Sequence, residues 1–128
     1  MKKNLLLLLI AFLSSAPALV SAELFVDKWT DTDTAREAAY LVLHIADWGQ
    51  TRNIAHREGE GYWEINPILG KHPSIKRVDS YMAFSMLAHI GIAYALPRGW
   101  REAFQYTTVG IKTGVVISNN SIGLRVDF

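Results

Sequence analysis

Apolar positions along the chain gather into three blocks, and polar residues recur inside each block at helical spacing. The first block runs through Ala38-Ala39-Tyr40-Leu41-Val42-Leu43-His44-Ile45-Ala46. Thr34 with Glu37 three residues on reads as a capping box ahead of it, and Glu58-Gly59-Glu60-Gly61 stops it, so the spacing predicts a helix from Thr34 to about Arg57. A second helix is expected from Ser74, a candidate cap after Pro73, to Leu96, where Pro97 and Gly99 close it. A third runs from about Gly99 to Ser118, with Asn119-Asn120 as its end. The stretch from Gly59 to Pro73, with Gly61, Pro67 and Gly70 inside it, is a loop. Strand-like alternation is confined to Ile122–Phe128. The expected fold class is all-α, a three-helix antiparallel bundle in one domain.

The N-terminal pattern differs from the rest. Lys2 and Lys3 precede the uncharged run Leu5–Leu13, and small residues lead to Val20-Ser21-Ala22. This is the layout of a secretory signal cleaved before Glu23, with an uncleaved signal anchor as the alternative. The division expected is a signal at 1–22, an exported segment at 23–33 and a helical bundle domain at 34–128. The expected address is the cell envelope, reached through the Sec pathway: the inner membrane, or alternatively the periplasm.

Membrane embedding is the next expectation. Ser80–Leu96 carries no formal charge and includes Met82, Phe84, Met86, Leu87, Ile90 and Ile92, which puts it at the lower limit of a spanning helix. Ala103–Leu124 is interrupted by Lys112, and the first helix is charge-free only from Ala38 to Ala46. Both would turn polar groups into the bundle interior. Arg52, Arg57, Lys71, Lys76 and Arg77 cluster around the first connection, which favours a cytoplasmic loop. A secreted bundle with a buried central helix is the competing arrangement.

Composition narrows the chemistry. With 13 basic and 12 acidic residues and a net charge of +1, the chain has no basic stripe to neutralise phosphates, so no nucleic-acid partner is expected. The absence of cysteine excludes disulfides, thiolate nucleophiles and cysteine-held clusters or haem. Serine-hydrolase, P-loop and Rossmann motifs are lacking, and no cofactor is expected.

Candidate residues lie on the polar stripes. Glu37, Tyr40, His44, Asp47 and Thr51 share one face of the first helix, which is either a solvated surface or, in a membrane, a functional face. His89 sits mid-way along the second helix on the face of Met82 and Ala93. Gln105, Thr108, Lys112 and Asn119 share one side of the third. Lys112 lies in an apolar stretch and must snorkel or pair, with Asp47 or Glu64 as its counter-charge. His56 and His72 could join Asp47 and Glu64 as metal ligands, but no metal-binding spacing is present and no metal is expected.

Asp47-x-x-x-Thr51 at the end of one helix, followed by Glu64-x-Asn66-Pro67 before the next, resembles a family of small bacterial and phage helical membrane proteins. Those proteins carry D-x3-T and E-x-N-P motifs and have no assigned activity. The resemblance covers about residues 38–96. It implies that Asp47, Thr51, Glu64 and Asn66 form one constellation where the loop folds back over the first helix. There the two carboxylates would share a proton or a cation, or the four residues would lock the corner.

The expected function is that of a small integral membrane protein of the cell envelope. Its interior polar cluster (His44, Asp47, Thr51, Glu64, Asn66, His89, Lys112) is expected to be structural or to bind a small ligand or ion. Its partners would be the lipid bilayer and an envelope protein or a second copy of itself. A membrane-associated hydrolase or transferase using Asp47 and Glu64, with His44 or His89 assisting, is one alternative. A secreted helical module that binds an envelope partner is the other.

Overall fold

A computed structural model describes residues 27–128 and contains three helices: α1 (Asp31–His56), α2 (Ile75–Ala95) and α3 (Arg98–Ser121). The signal read at 1–22 and the start of the segment at 23–33 lie outside the described residues. The three-helix, all-α expectation holds, and no strand occurs among the described residues.

α1 starts three residues earlier than its pattern suggested. The cap is Thr30, whose hydroxyl accepts from the Asp33 backbone N–H at 3.1 Å while the Asp33 carboxylate accepts from the Thr30 N–H at 2.9 Å. The reciprocal box is thus Thr30 with Asp33, which leaves Glu37 to turn inward. α2 begins as expected, with Ser74 capping the Arg77 N–H. Pro97 forces a tight turn, and its carbonyl accepts from Arg101 N–H at 2.8 Å, so α3 follows α2 after two residues.

Cross-helix bonds fix the directions. His44 meets Met82 and Glu37 meets His89, so α2 runs antiparallel to α1. Arg36 meets Gln105 and Asp47 meets Lys112, so α3 runs parallel to α1. α1 is the central helix and packs on both others.

The chain after α3 is extended and lies along the C-terminal half of α1. Leu124 is buried, Asp127 N–H donates to the Gly49 carbonyl at 3.2 Å, and Phe128 packs edge-on against Trp48. Gly49 is required there: a Cβ at this position would stand 2.5 Å from Val126 Cγ1 and 3.1 Å from the Asp127 nitrogen. The strand-like alternation of 122–128 therefore reports a docked tail with one side against α1.

The interior has the reverse of ordinary polarity. A small apolar cluster of Leu69, Val78 and Met82 sits at the loop end. Elsewhere Tyr40, Ile54, Ala93 and Leu124 are buried among the more numerous polar Asp33, Glu37, His44, Asp47, Gln50, Thr51, His89, Arg101 and Gln105, while Val42, Phe84, Leu87, Ile92, Ile111 and Ile117 face outward. Soluble domains usually bury the second kind and expose the first.

No helix among the described residues is long and apolar enough to cross a membrane, Ser80–Leu96 included. The helix holding that run opens with Lys76, Arg77 and Asp79 and carries His89 in its middle, and α1 and α3 hold still more polar groups.

Candidate functional site

The five-residue stripe of α1 is buried along its whole length, and the polar side of α3 packs against it. Extending each stripe back by one helical turn adds Asp33 and Arg101, which complete the seam at its far end. That extra turn is the sequence signal for both residues: Asp33 stands four before Glu37, and Arg101 four before Gln105.

Arg101 is 1% exposed and fully engaged. Its Nε donates to the Ala93 carbonyl at 2.8 Å and its Nη1 to Asp33 at 3.1 Å, while Nη2 reaches the carbonyls of Leu96 and Asp27. Arg36 donates to the other Asp33 oxygen at 2.6 Å and to Gln105 Oε1 at 2.9 Å. Gln105 passes the network on by donating to Glu37 Oε2 at 2.9 Å. Glu37 Oε1 lies 2.8 Å from His89 Nδ1, and His89 Nε2 lies 2.8 Å from the Thr108 hydroxyl. The His89 ring stacks on Tyr40 with centroids 3.4 Å apart and on Phe104 at 4.5 Å. Beyond Tyr40, His44 directs Nε2 at the Met82 carbonyl at 2.9 Å and Nδ1 at the Tyr40 hydroxyl at 3.3 Å. Among described residues Arg52 Nε is the one side-chain nitrogen or oxygen completely shielded from solvent that lacks a partner, so the closed part of the seam is satisfied.

At the loop end the seam opens into a cavity of about 520 Å³. Asp47 and Thr51 of α1, Lys112 and Asn119 of α3, and Glu64 and Asn66 of the loop all line it, with Tyr62, Trp63 and Tyr81 as aromatic wall. Five of the seven sequence candidates therefore share one space: Asp47, Thr51, Glu64, Asn66 and Lys112. His44 and His89 are not among its lining and belong to the closed seam. Lys112 pairs with Asp47, one of the two counter-charges proposed for it.

The loop is shaped by its own polar atoms. Glu64 Oε1 accepts from the Asn66 N–H at 2.8 Å, Asn66 Oδ1 accepts from the Ile68 N–H at 3.0 Å, and the Asn66 carbonyl accepts from Leu69 and Gly70. Asn66 and Pro67 thus build a turn that seats Glu64 over the end of α1. Burial pushes the Glu64 carboxyl above its ordinary range, and the nearby negative charge of Asp47 pushes the same way, against the Asn66 N–H that lowers it.

His56 and His72 do not join the cavity. His56 Nδ1 lies 2.6 Å from Asp127 of the C-terminal tail, and His72 is exposed. No three His, Asp or Glu side chains among the described residues gather closely enough to hold a metal ion. Gln50 and Asn119 were not in the predicted cluster, yet they tie α1 to α3 beside the cavity, with Asn119 Nδ2 donating to Gln50 Oε1 at 3.2 Å.

Comparison with protein-family models, with curated proteins and with solved structures gives no match.

Proposed function

We propose that this protein is a small membrane protein whose three helices sit in the bilayer side by side, apolar faces to the lipid and polar seam inside. One observation carries the reading: the position of the exposed charges. Along 32–55 of α1, 80–95 of α2 and 103–121 of α3, every exposed residue is uncharged. The exposed charges fall at two ends. Lys28, Asp31, Arg98 and Glu102 mark one, and Glu58, Glu60, Lys71, Lys76, Arg77 and Arg125 mark the other. At a rise of 1.5 Å per residue the uncharged belt is about 24–28 Å tall on α2 and α3, against a hydrocarbon core of about 30 Å.

The helices fail a test of apolar length because such a test averages all faces of a helix. In this bundle the charged side chains within the belt lie on the faces that meet each other, and the polar residues exposed there are uncharged threonines, serines and an asparagine. Aromatic residues support the same depth. Trp29, Tyr94 and Trp100 ring one end of the belt, and Tyr62, Trp63 and Phe128 ring the other. Exposed Lys71, Lys76, Arg77 and Arg125 outnumber Lys28 and Arg98, which favours a cytoplasmic loop end.

Membrane fractionation of a C-terminally tagged chain, followed by alkaline extraction, tests the reading. Retention in the pellet is expected. Release as a soluble species would overturn it and transfer the apolar belt to an envelope protein partner.

A further inference from the structure

The cavity at the loop end carries more negative than positive groups, and its contents differ from the closed seam in one respect. In the seam each polar side chain has a protein partner. In the cavity, the Thr51 hydroxyl, on a residue only 2% exposed, makes no hydrogen bond to any described residue. Asp47 gives Lys112 its Oδ2 and has its other oxygen unpaired among the described residues. Both residues line the cavity. Glu64 contributes a second carboxyl whose protein contacts are confined to its own loop. One ammonium, that of Lys112, therefore faces two carboxyls, and the hydroxyl and carbonyl-type oxygens of Thr51, Asn66 and Asn119 complete an acceptor-rich lining. Trp63 and Tyr81 supply aromatic wall of the kind that attracts a cation, Tyr62 already holds the Arg57 guanidinium over its ring, and Ile54, Ile65 and Val115 supply apolar surface.

We propose that this cavity binds an organic ammonium group carried on an apolar chain, seated between Asp47 and Glu64 with Thr51 accepting one of its N–H bonds. A bare metal ion fits less well, since the carboxylates do not converge with a third His, Asp or Glu ligand. An anion would meet two carboxyls and a lysine already engaged. The volume of about 520 Å³ is far more than one ion needs and lies within the ordinary range of small-molecule sites. The site does not depend on the bilayer reading, although in a bilayer it would lie at headgroup depth. The ammonium group could then come from an aminophospholipid or from a free amine.

The pH dependence has a definite sign. The groups facing Glu64 are Asp47 from α1 and Lys112 from α3. An incoming cation favours the ionised carboxyl, so binding releases a proton from Glu64, and affinity falls as pH drops through its raised range.

The test uses the full chain in a non-ionic maltoside detergent, followed by 15N NMR of the indole N–H groups. Trp63 lies on the cavity, and Trp29 and Trp100 at the opposite end act as internal controls. Octylammonium chloride is titrated in, with sodium octanoate as the probe of equal chain length and opposite charge. A saturable shift of the Trp63 signal with octylammonium is expected, with little effect from octanoate. Thr51→Val and Glu64→Gln, each checked for retained helicity and unchanged Trp29 and Trp100 signals, are expected to weaken that response about tenfold or more, a change equivalent to about 1.4 kcal/mol. Equal responses to the two probes, a shift that does not saturate, or unaltered binding in both folded variants would overturn the proposal. In nanodiscs, competition of aminophospholipid with octylammonium would assign the group to a lipid, and its absence alongside retained octylammonium binding would assign it to a free amine.

Discussion

Gly49→Ala separates two opposed effects that the structure places at one atom. In the interior of an isolated helix, replacing Gly by Ala stabilises by about 1 kcal/mol. At position 49 the new Cβ would stand 2.5 Å from Val126 Cγ1, 3.0 Å from Phe128 Cε2 and 3.1 Å from the backbone nitrogen of residue 127. The first two contacts belong to side chains that can swing away. The third is backbone, so the tail itself must lift. Lifting it gives up the backbone hydrogen bond to the Gly49 carbonyl, about 1 kcal/mol, and the edge-on contact of Trp48 with Phe128, about 1 kcal/mol. The net cost to global stability is then about 1 kcal/mol, and the local effect is larger than the global one. The expected result is a small fall in thermal midpoint with much faster removal of Phe128 by carboxypeptidase, while Leu124, which is buried, stays protected. Unchanged digestion of Phe128 in a stably folded Gly49→Ala protein would refute the packing argument.

Three further outcomes follow from the ion pairs. Lys112→Met leaves the Asp47 carboxylate buried without its partner and is expected to destabilise by about 3 kcal/mol; adding Asp47→Asn should recover most of that loss, read as a double-mutant cycle in denaturant unfolding. Arg101→Gln removes a guanidinium that is 1% exposed and serves Asp33 and three carbonyls, so a loss of about 3–5 kcal/mol is expected, with Asp33→Asn in the same chain again offsetting part of it. For the tail clasp, the hydrogen bond from His56 holds the Asp127 carboxyl below its ordinary 3.8. A carboxyl lowered in the folded state contributes stability above its ordinary value and loses it as pH falls through the lowered one, so carboxypeptidase release of Phe128 should accelerate only below about pH 4, and Asp127→Asn should abolish that acid step.

Much of this arrangement is legible in the sequence, and the part that is not has identifiable causes. The three-residue and four-residue spacings of Glu37, Tyr40, His44, Asp47 and Thr51 gave a single face of α1, and that face is buried. Spacing could not decide between a solvated stripe and an interior one, because both have the same period. The start of α1 was misplaced since Thr30 and Thr34 each stand three residues before an acid, and only packing decides which acid caps. Here Glu37 is drawn inward by His89 and Gln105. Arg101 stands just past Pro97 and Gly99, where the sequence pattern marks only the end of one helix and the start of the next. It is buried because the Pro97 turn aims the first turn of α3 back across the end of α2 at the Ala93 and Leu96 carbonyls. The tail was opaque for a different reason: its alternation is real, but its partner is a glycine face on a helix rather than a strand.

The inverted polarity of the bundle follows from how its charges are paired. In the seam, Asp33 is paired with both Arg36 and Arg101, Asp47 with Lys112, and Glu37 is held by His89 and Gln105, so three carboxylates stand among three fixed cations. A near-neutral interior of this kind is tolerable away from water only if each charge also spends its remaining hydrogen-bonding capacity, and Gln105, Thr108, Gln50 and Asn119 are placed to accept or donate what the charges leave over. Such a core gives little net hydrophobic stabilisation, because the apolar area lies on the outside. The fold must then draw its driving force from whatever covers Val42, Phe84, Leu87, Ile111 and Ile117. Under the proposed bilayer reading lipid covers them without a matching partner surface, over a charge-free belt of about 24–28 Å. The same logic isolates the cavity: with Thr51 and one Asp47 oxygen left over, it is the place in the seam where the protein does not complete its own network.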